Sequence, residues 1–428
     1  MLRTSTSLLA LCIGASRLIG QTPVSSGVDQ IIQQALEQNR EVLAAQQRVA
    51  EARGVLRQAG VRPAGTVESN VASGRPLATQ GEEEFTVGYS QPIETGGKRP
   101  KRLVVAERNL EAAEAGLAER KRQLAYEIKA RYIDLVASRR KAEAIDRILA
   151  VHRESYRLVD ARVLHGDAAP LERQLLLVEM NRAEAQRATT AGQALSAQIE
   201  LRRAVAAINW QPPEPAAAVA PAAISSPLEE IRVRALAMRP DLRVLRALSA
   251  QSAAEFELVE ASGHPDLTVS AQYSRRHAQF EDPLRTTGSG SPLLLQDRDN
   301  ILTLGISIPL QTKKRNQGNL EAAVARQHAA ELQREHLEVT IPIEVDAAWQ
   351  RYQAARNTVA MLNRGVLDES EKNLAVIRQA YNLGQLRLLD VLNEQRRLLE
   401  TQLSYVDAEA DVARSLAELE RAAGGSLQ

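Results

Sequence analysis

Thiols and aromatic rings are scarce in this chain. Among 428 residues there is one cysteine, Cys12, and aromatic side chains make up only 3%. No disulfide framework can therefore be built, and large ring-filled cores are disfavoured. Net charge is +1, which gives no bulk attraction to polyanions, and the basic clusters carry no interleaved aromatics, so nucleic acid is not an expected partner. After residue 20 no stretch of about 20 apolar residues occurs, which excludes a spanning helix. No nucleophile elbow, phosphate loop, zinc spacing or catalytic triad pattern is found, so neither an enzyme nor a resident metal or cofactor is expected.

What the chain does contain is abundant Ala, Leu, Glu, Arg and Gln in long uninterrupted stretches, and an internal repeat. Thr86, Gly88, Ser90 and Pro92 recur as Thr303, Gly305, Ser307 and Pro309, an offset of 217. Ala106, Ala113, Glu127, Ala130 and Arg139 recur at the same offset as Ala323, Ala330, Glu344, Ala347 and Arg356, with Tyr132 matched to Trp349. Self-similarity at so long a period dictates architecture before any local signal does.

Residues 1–20 read as an export signal: Arg3, a polar spacer, then an apolar run from Leu8 to Ala15. Cleavage is expected between Ala15 and Thr22, and lipidation of Cys12 is the alternative. The first repeat is expected over 21–208. It opens with a helix over 26–60, on which Leu36, Val42, Val49 and Leu56 share a face. Pro63 and Gly65 end it, and two strands of period two follow, with a hairpin over 64–92. The next helix runs from Lys98 to Leu164, and Leu103, Leu110, Leu117 and Leu124 recur every seven residues, the mark of a left-handed coiled coil. Gly166 turns the chain, Pro170 starts a returning helix that reaches about Ile208, and the two helices form a hairpin rod.

A Pro/Ala-rich connector over 209–227 leads to the second repeat, 228–424, followed by a short tail at 425–428. Here the expected elements are a helix to Ser262, a hairpin over 266–310, a helix over 314–383 with a kink at Pro342, a turn at Gly384, and a last helix to Ala423. The second hairpin loop is 15 residues longer than the first, judged from Pro63 to Pro92 against Pro265 to Pro309.

Each strand has one apolar face and is expected to be about ten residues long, suited to a tilted membrane crossing. The predicted lipid face comprises Val67, Val71, Phe85, Val87 and Tyr89 in the first hairpin, Leu267, Val269, Ala271 and Tyr273 in the third strand, and Leu302, Leu304, Ile306 and Ile308 in the fourth. Four strands cannot close a barrel, and open sheet edges are not tolerated in hydrocarbon, so several copies must contribute to one barrel; three give twelve strands. A soluble sheet packed on helix ends is the competing reading.

The strings SQPIETGGKR at Ser90–Arg99, SIPLQTKKRN at Ser307–Asn316 and AYNLGQLRLLDVLNEQ at Ala380–Gln395, set in this doubled order, resemble the TolC-like outer membrane efflux family. The stretch Glu94–Arg99 is closest to its cation-efflux subgroup, that of CzcC and CusC. The resemblance implies a mainly α protein with a small membrane β part: a homotrimer whose twelve-stranded barrel continues as a helical tunnel across the periplasm. It also implies outer membrane lipid, a periplasmic adaptor and an inner membrane transporter of RND or ABC type as partners. Type I protein secretion is a further use of the same architecture, and a non-transporting periplasmic scaffold is the reading without a membrane part.

Gly166 and Gly384 would form the tips of the tunnel. By the resemblance, an acid six positions beyond each turn glycine constricts the closed end, which selects Glu172 and Asp390, with Arg173 or Arg387 as balancing bases. Asn393 stands at a second acidic position of that family. The alternative is that both acids simply favour a helix N-terminus. At the strand-to-helix junctions stand Lys98, Arg99, Lys101 and Arg102, with Lys313, Lys314 and Arg315. They are expected to hold lipid phosphates, to pair with acids of a neighbouring helix, or to remain solvated. His165 at the first tip has no second histidine, methionine or cysteine in register, so metal ligation is not read there. The adaptor surface is expected near residues 155–185 and 370–400.

Overall fold

The structure, a computed structural model, describes residues 27–73, 82–206, 210, 224–290, 292–310, 313–363 and 365–427. The expected export segment with Cys12, most of the 209–227 connector and Gln428 lie outside the described residues. The order is α1 (Gly27–Gln38), α2 (Arg40–Ala59), β1 (Thr66–Ser73), β2 (Glu82–Ile93), α3 (Lys98–Leu164), α4 (Pro170–Val205), α5 (Leu228–Met238), α6 (Pro240–Ala261), β3 (Leu267–Thr286), β4 (Pro292–Ser307), α7 (Lys313–Asn363), α8 (Val366–Asn382) and α9 (Leu388–Ala423). At 1.5 Å per residue α3 alone extends roughly 100 Å.

Both opening helices are split, where the sequence reading ran each without a break. At Asn39 the backbone turns extended, and its Oδ1 accepts from the Glu41 N–H at 2.9 Å and the Val42 N–H at 3.4 Å, an N-cap that starts α2. At Arg239 the same extended conformation is imposed by Pro240, because a residue before proline is pushed out of the helical region. Two different chemistries make the same break. Both residues are buried, and Asn39 Nδ2 donates to the Ala204 carbonyl at 3.3 Å, fastening α2 to the end of α4.

Two equivalent cores follow from the repeat. Ile31, Ala35, Val42, Leu124, Ile128, Leu201 and Val205 pack in one, and Ile231, Ala235, Leu242, Ile341, Val345, Leu419 and Ala423 pack in the other. Their numbering shows an offset of 200 before the strands, 217 after them and 218 in the last helix. Part of the growth is the 22 residues of α6 against the 20 of α2. The final extra residue lies between Arg356 and the second tip, the stretch in which the expected single helix over 314–383 is interrupted. One added residue rotates all that follows by about 100°. The helix α7 passes through Pro342 and ends at Asn363, and Gly365 with φ of +117° starts α8. The interruption thus falls at a glycine that tolerates a left-handed backbone and not at the proline.

The four strands form one antiparallel sheet in the order β1-β2-β3-β4, so the two hairpins join through β2 and β3. The second hairpin falls within the expected 266–310, but its strands are much longer than expected, with 20 residues in β3 and 16 in β4. Its upper part pairs Arg276 with Asp299 and His277 with Arg298. Both faces are polar there, so no alternation marked it as strand, yet the backbone ladder continues. Gly96 and Gly97, at φ of +66° and +70°, turn β2 into α3. A Cβ on Gly96 would lie 3.0 Å from His264 Cδ2 and 3.2 Å from the Ala261 carbonyl oxygen, so this turn needs glycine for space as well as for its dihedral.

Candidate functional site

Cross-strand register places the apolar residues of all four strands in common rows. Val67, Tyr89, Ala271 and Leu304 are successive neighbours, as are Ser69, Val87, Tyr273 and Leu302. Flanking rows hold Gln91, Val269 and Ile306, then Ile93 and Leu267, and on the other side Val71, Phe85, Arg275 and Asn300. Five rows about 7 Å apart give an apolar band of roughly 27 Å along the strands. Leu267 is half-buried and the other predicted residues of this face are exposed, including Ile308 just past the end of β4. The opposite face carries Glu68, Gly88, Gln272 and Thr303 in one row and Thr66, Ser90, Ser270 and Gly305 in another. One face is thus mainly apolar and the other mainly polar, and Tyr273 keeps its hydroxyl satisfied by donating to Asn300 at 2.8 Å.

The first basic junction is fully engaged within the chain. Arg99 Nε donates to the Gly60 carbonyl at 2.7 Å, and Arg102 donates to those of Ala59 at 3.0 Å and Val61 at 3.2 Å, so both cap the C-terminal end of α2. Lys101 donates to the Glu257 carbonyl at 3.1 Å and Lys98 to that of His264 at 2.8 Å, serving the end of α6 in the same way. Cations are favoured at both places by the helix dipole. Arg102 also grips Glu94 with two bonds, of 2.5 and 3.2 Å, and Lys98 meets Asp266 at 2.8 Å. These cations thus cap helix ends and meet the acids of the strand-to-helix loops, and Lys101 also lies 3.9 Å from the Glu257 carboxylate of α6. The side chains of Lys313, Lys314 and Arg315 lie outside the described residues.

Burial opposes ionisation of Asp266, but Lys98 and the Thr95 N–H, which donates at 3.0 Å, hold its carboxyl below the ordinary value. A depressed carboxylate stabilises the fold above its unfolded-state pKa of about 3.9 and loses that contribution as pH falls through the folded value. Asp266→Asn is therefore expected to lower stability at pH 7 and to flatten the acid limb of the unfolding profile below about pH 4, followed by thermal inactivation against pH. An unchanged acid limb would remove the assignment.

The two tips are built alike. Gly166 at φ +82° and Gly384 at φ +74° end their helices with matched bonds: Gly166 N–H to the Val163 carbonyl and Asp167 N–H to that of Arg162, against Gly384 to Tyr381 and Gln385 to Ala380. Both are Schellman caps, which require the left-handed residue that glycine supplies. Glu172 and Asp390 each occupy the third position of the returning helix. There the symmetry ends. Asp390 accepts the Arg387 backbone N–H at 3.0 Å, closing its own helix start. Glu172 instead reaches across to α8 and accepts from the Tyr381 hydroxyl at 3.0 Å. Arg173 does not balance Glu172; it pairs with Asp160 at 3.2 Å.

Burial, and then the Glu172 carboxylate, push the Tyr381 phenol above its ordinary value, so the hydroxyl stays a donor. Sequence reading missed Tyr381 as a partner. Its signal was present, since it stands three residues before Gly384 and so belongs to the last helical turn facing the tip. His152 is buried higher in the same bundle, where burial lowers its pKa and keeps it neutral. The exposed His165 gains no neighbours suited to a metal: among the described residues no group of three or more His, Cys, Asp or Glu side chains forms a ligand set.

Comparison with known proteins agrees with this architecture. The family described as outer membrane efflux protein matches residues 31–207 and again 231–425. Over 345 residues the chain is 24% identical to the cobalt-zinc-cadmium resistance protein CzcC of Cupriavidus metallidurans, covering 79% of this chain and 77% of that one. It is also 24% identical over 418 residues to the outer membrane efflux protein BepC of Brucella suis, covering 94% and 86%. Among solved structures, CusC superimposes with a TM-score of 0.75 at 19% identity, covering 94% of this chain and 92% of that one. The open-state MtrE outer membrane channel of Neisseria gonorrhoeae gives 0.71 at 19%, covering 94% and 89%.

A long-helix protein with an amphipathic four-stranded sheet and two matching helical tips has the TolC-like fold of the solved outer membrane channels. The chain belongs to the outer membrane efflux protein family, is located in the outer membrane and extends into the periplasm. Within the family it is similar to the subgroup of CzcC and CusC.

Proposed function

We propose that this protein is the passive outer membrane conduit of a tripartite efflux system, assembled as a homotrimer. The observation that supports it best is the sheet itself: one face mainly apolar, the other mainly polar, and two edges, β1 and β4, without a further strand beside them among the described residues. In lipid those edges must be paired, and three copies give a closed twelve-stranded cylinder with the polar face lining water. In this reading the repeats at 21–208 and 228–424 alternate around the wall behind a cleaved segment at 1–20. Nothing in it calls for catalysis.

The cargo is proposed to be small toxic solutes, with divalent metal cations favoured by the similarity to CzcC. An inner membrane transporter supplies the energy, and a periplasmic adaptor engages the tips. Leu164, Leu171, Val178 and Leu383 are large apolar residues exposed around those turns, a surface suited to the helical hairpins of such an adaptor. Planar bilayer recordings are the direct test: purified protein should conduct, whereas a periplasmic scaffold would need no detergent and pass no current. For the cargo, deletion should sensitise cells to cobalt, zinc or cadmium, and normal metal tolerance beside lost drug tolerance would redirect it.

Glu172 and Asp390 are proposed to line the constriction, with Tyr381 tying α8 to α4 in the closed form. Tyr381→Phe removes a hydrogen bond to a carboxylate and should favour the open form by about 1 kcal/mol, roughly a fivefold change in the closed-to-open ratio. The double change Glu172→Gln, Asp390→Asn should raise leak further by removing the Tyr381 anchor's charge and the cap of α9 together. Single-channel open probability measures both. A leak equal to that of the natural protein in both variants would end the gate assignment.

A further inference from the structure

We propose that neighbouring copies join by pairing β4 of one with β1 of the next in one defined register, which sets Ser307 opposite Glu68 of the next copy. This rests on the trimeric channel reading, and it goes further by naming the residue pairs. The register follows from the repeat. Ser90 faces Thr66 across β2 and β1, and Ser307 faces Thr268 across β4 and β3. Since Ser90 and Ser307 are repeat equivalents, Thr66 and Thr268 are equivalent too, in step with Pro63 and Pro265.

Inside the chain the repeats meet where β2 pairs with β3, with Ser90 opposite Ser270 and Gly88 opposite Gln272. Carrying that junction one repeat onward replaces β2 by β4 and β3 by β1 of the next copy. Ser307 then faces Glu68, Ile306 faces Ser69, Gly305 faces Asn70 and Leu304 faces Val71. Two internal checks hold. Every residue of the apolar face meets another position of that face, which a slip by one residue would reverse. The glycine opposite a carboxamide at Gly88 and Gln272 is also reproduced as Gly305 and Asn70.

Exposure shows the missing neighbour from both sides. On the outer strands Val67, Val71, Leu302 and Leu304 are 70–75% exposed, while their equivalents on the inner strands, Val269, Tyr273, Phe85 and Val87, are 39–45% exposed. The helices below agree. Leu332, Val339 and Ile343 of α7 are 62–66% exposed apolar side chains. Their equivalents in α3 are Ala115, which is buried, Arg122, which meets Asp241 of α6 at 3.6 Å, and the half-buried Tyr126. These positions share one face of α3, seven and four residues apart, and that face lies along α6. In the trimer α2 of the next copy, the equivalent of α6, covers the same face of α7.

Disulfide trapping in the full chain in its membrane tests the register. Glu68→Cys with Ser307→Cys, and separately Ser69→Cys with Ile306→Cys, should give two-chain and three-chain bands on oxidation that collapse on reduction. Adjacent cross-strand pairs alternate between close and wide spacing, so at least one of these is within disulfide reach. Each single variant, which controls for Cys12, should remain a single chain, as should the shifted combination Glu68→Cys with Ile301→Cys. Trapping by the shifted combination, or by neither predicted pair in a protein that chemical cross-linking shows to be trimeric, overturns the register and leaves the channel reading intact. A protein monomeric by cross-linking and by light scattering in detergent overturns both.

Discussion

Leu304→Arg is expected to abolish assembly in the outer membrane. Leu304 stands in the central of the five apolar rows, beside Ala271, at the edge where the next copy is proposed to dock. An arginine on the lipid face costs about 2–4 kcal/mol at the bilayer midplane, and a trimer carries it three times, so the penalty is about 6–12 kcal/mol per barrel. That rivals the whole stability of an ordinary domain. The adjacent Thr303→Arg is the matched control: same charge, same strand, opposite face, and expected to assemble while changing ion selectivity. Fractionation and detergent-resistant trimer on gels separate the two. Equal assembly of both variants would show that the sheet does not have one face in lipid.

Arg239→Met is expected to have the largest effect away from the membrane. The Arg239 guanidinium is buried at the break between α5 and α6 and holds Asp241 and Glu344 at 2.5 Å each, while Asp241 also faces Arg122 at 3.6 Å. Arg239 thus ties α6 to α7 directly, and through Asp241 the network reaches Arg122 of α3. Removing one partner of a buried ion network costs about 3–5 kcal/mol, because the remaining carboxylates lose their counter-charge. Asn39→Ala, at the equivalent break, loses only a cap and a carbonyl contact, about 1–2 kcal/mol. The rate of thermal inactivation of the purified protein should therefore rise far more for Arg239→Met than for Asn39→Ala.

The Arg239 network also predicts a pH signature. Burial opposes charging of Asp241, yet Arg239 and Arg122 hold its carboxyl below the ordinary value. Its stabilising contribution is complete above about pH 4 and disappears as pH falls through the depressed folded value. In Arg239→Met the depression is lost, so the variant's deficit should shrink on acidification. A deficit constant from pH 7 to pH 3 would show that the arginine acts through packing alone.

Much of the architecture was legible because it rests on periodicity. The heptads of Leu103 to Leu124 and the turns at Gly166 and Gly384 are local patterns, and α3 and both tips were readable from them to the residue. The apolar face of the sheet was readable for the same reason, since period two sorts side chains before any partner strand is known. Elements without a period were not. The upper half of the second hairpin does not alternate, with polar residues on both faces at Arg275 to His277 and at Asp297 to Asn300 and three leucines in a row at Leu293 to Leu295, and the break at Gly365 falls in the stretch that holds a single added residue, seen only once the two repeats are superimposed.

The candidate site divides along the same line. Sequence alone determined the repeat, the long helical rods, the strand faces and the turn glycines, because each depends on neighbours within a few residues. Only the tertiary structure decided that Glu172 answers to Tyr381, that Lys98 to Arg102 cap the ends of α2 and α6, and that β2 meets β3. Those contacts join segments up to about two hundred residues apart, and their geometry exists only after the helices have packed.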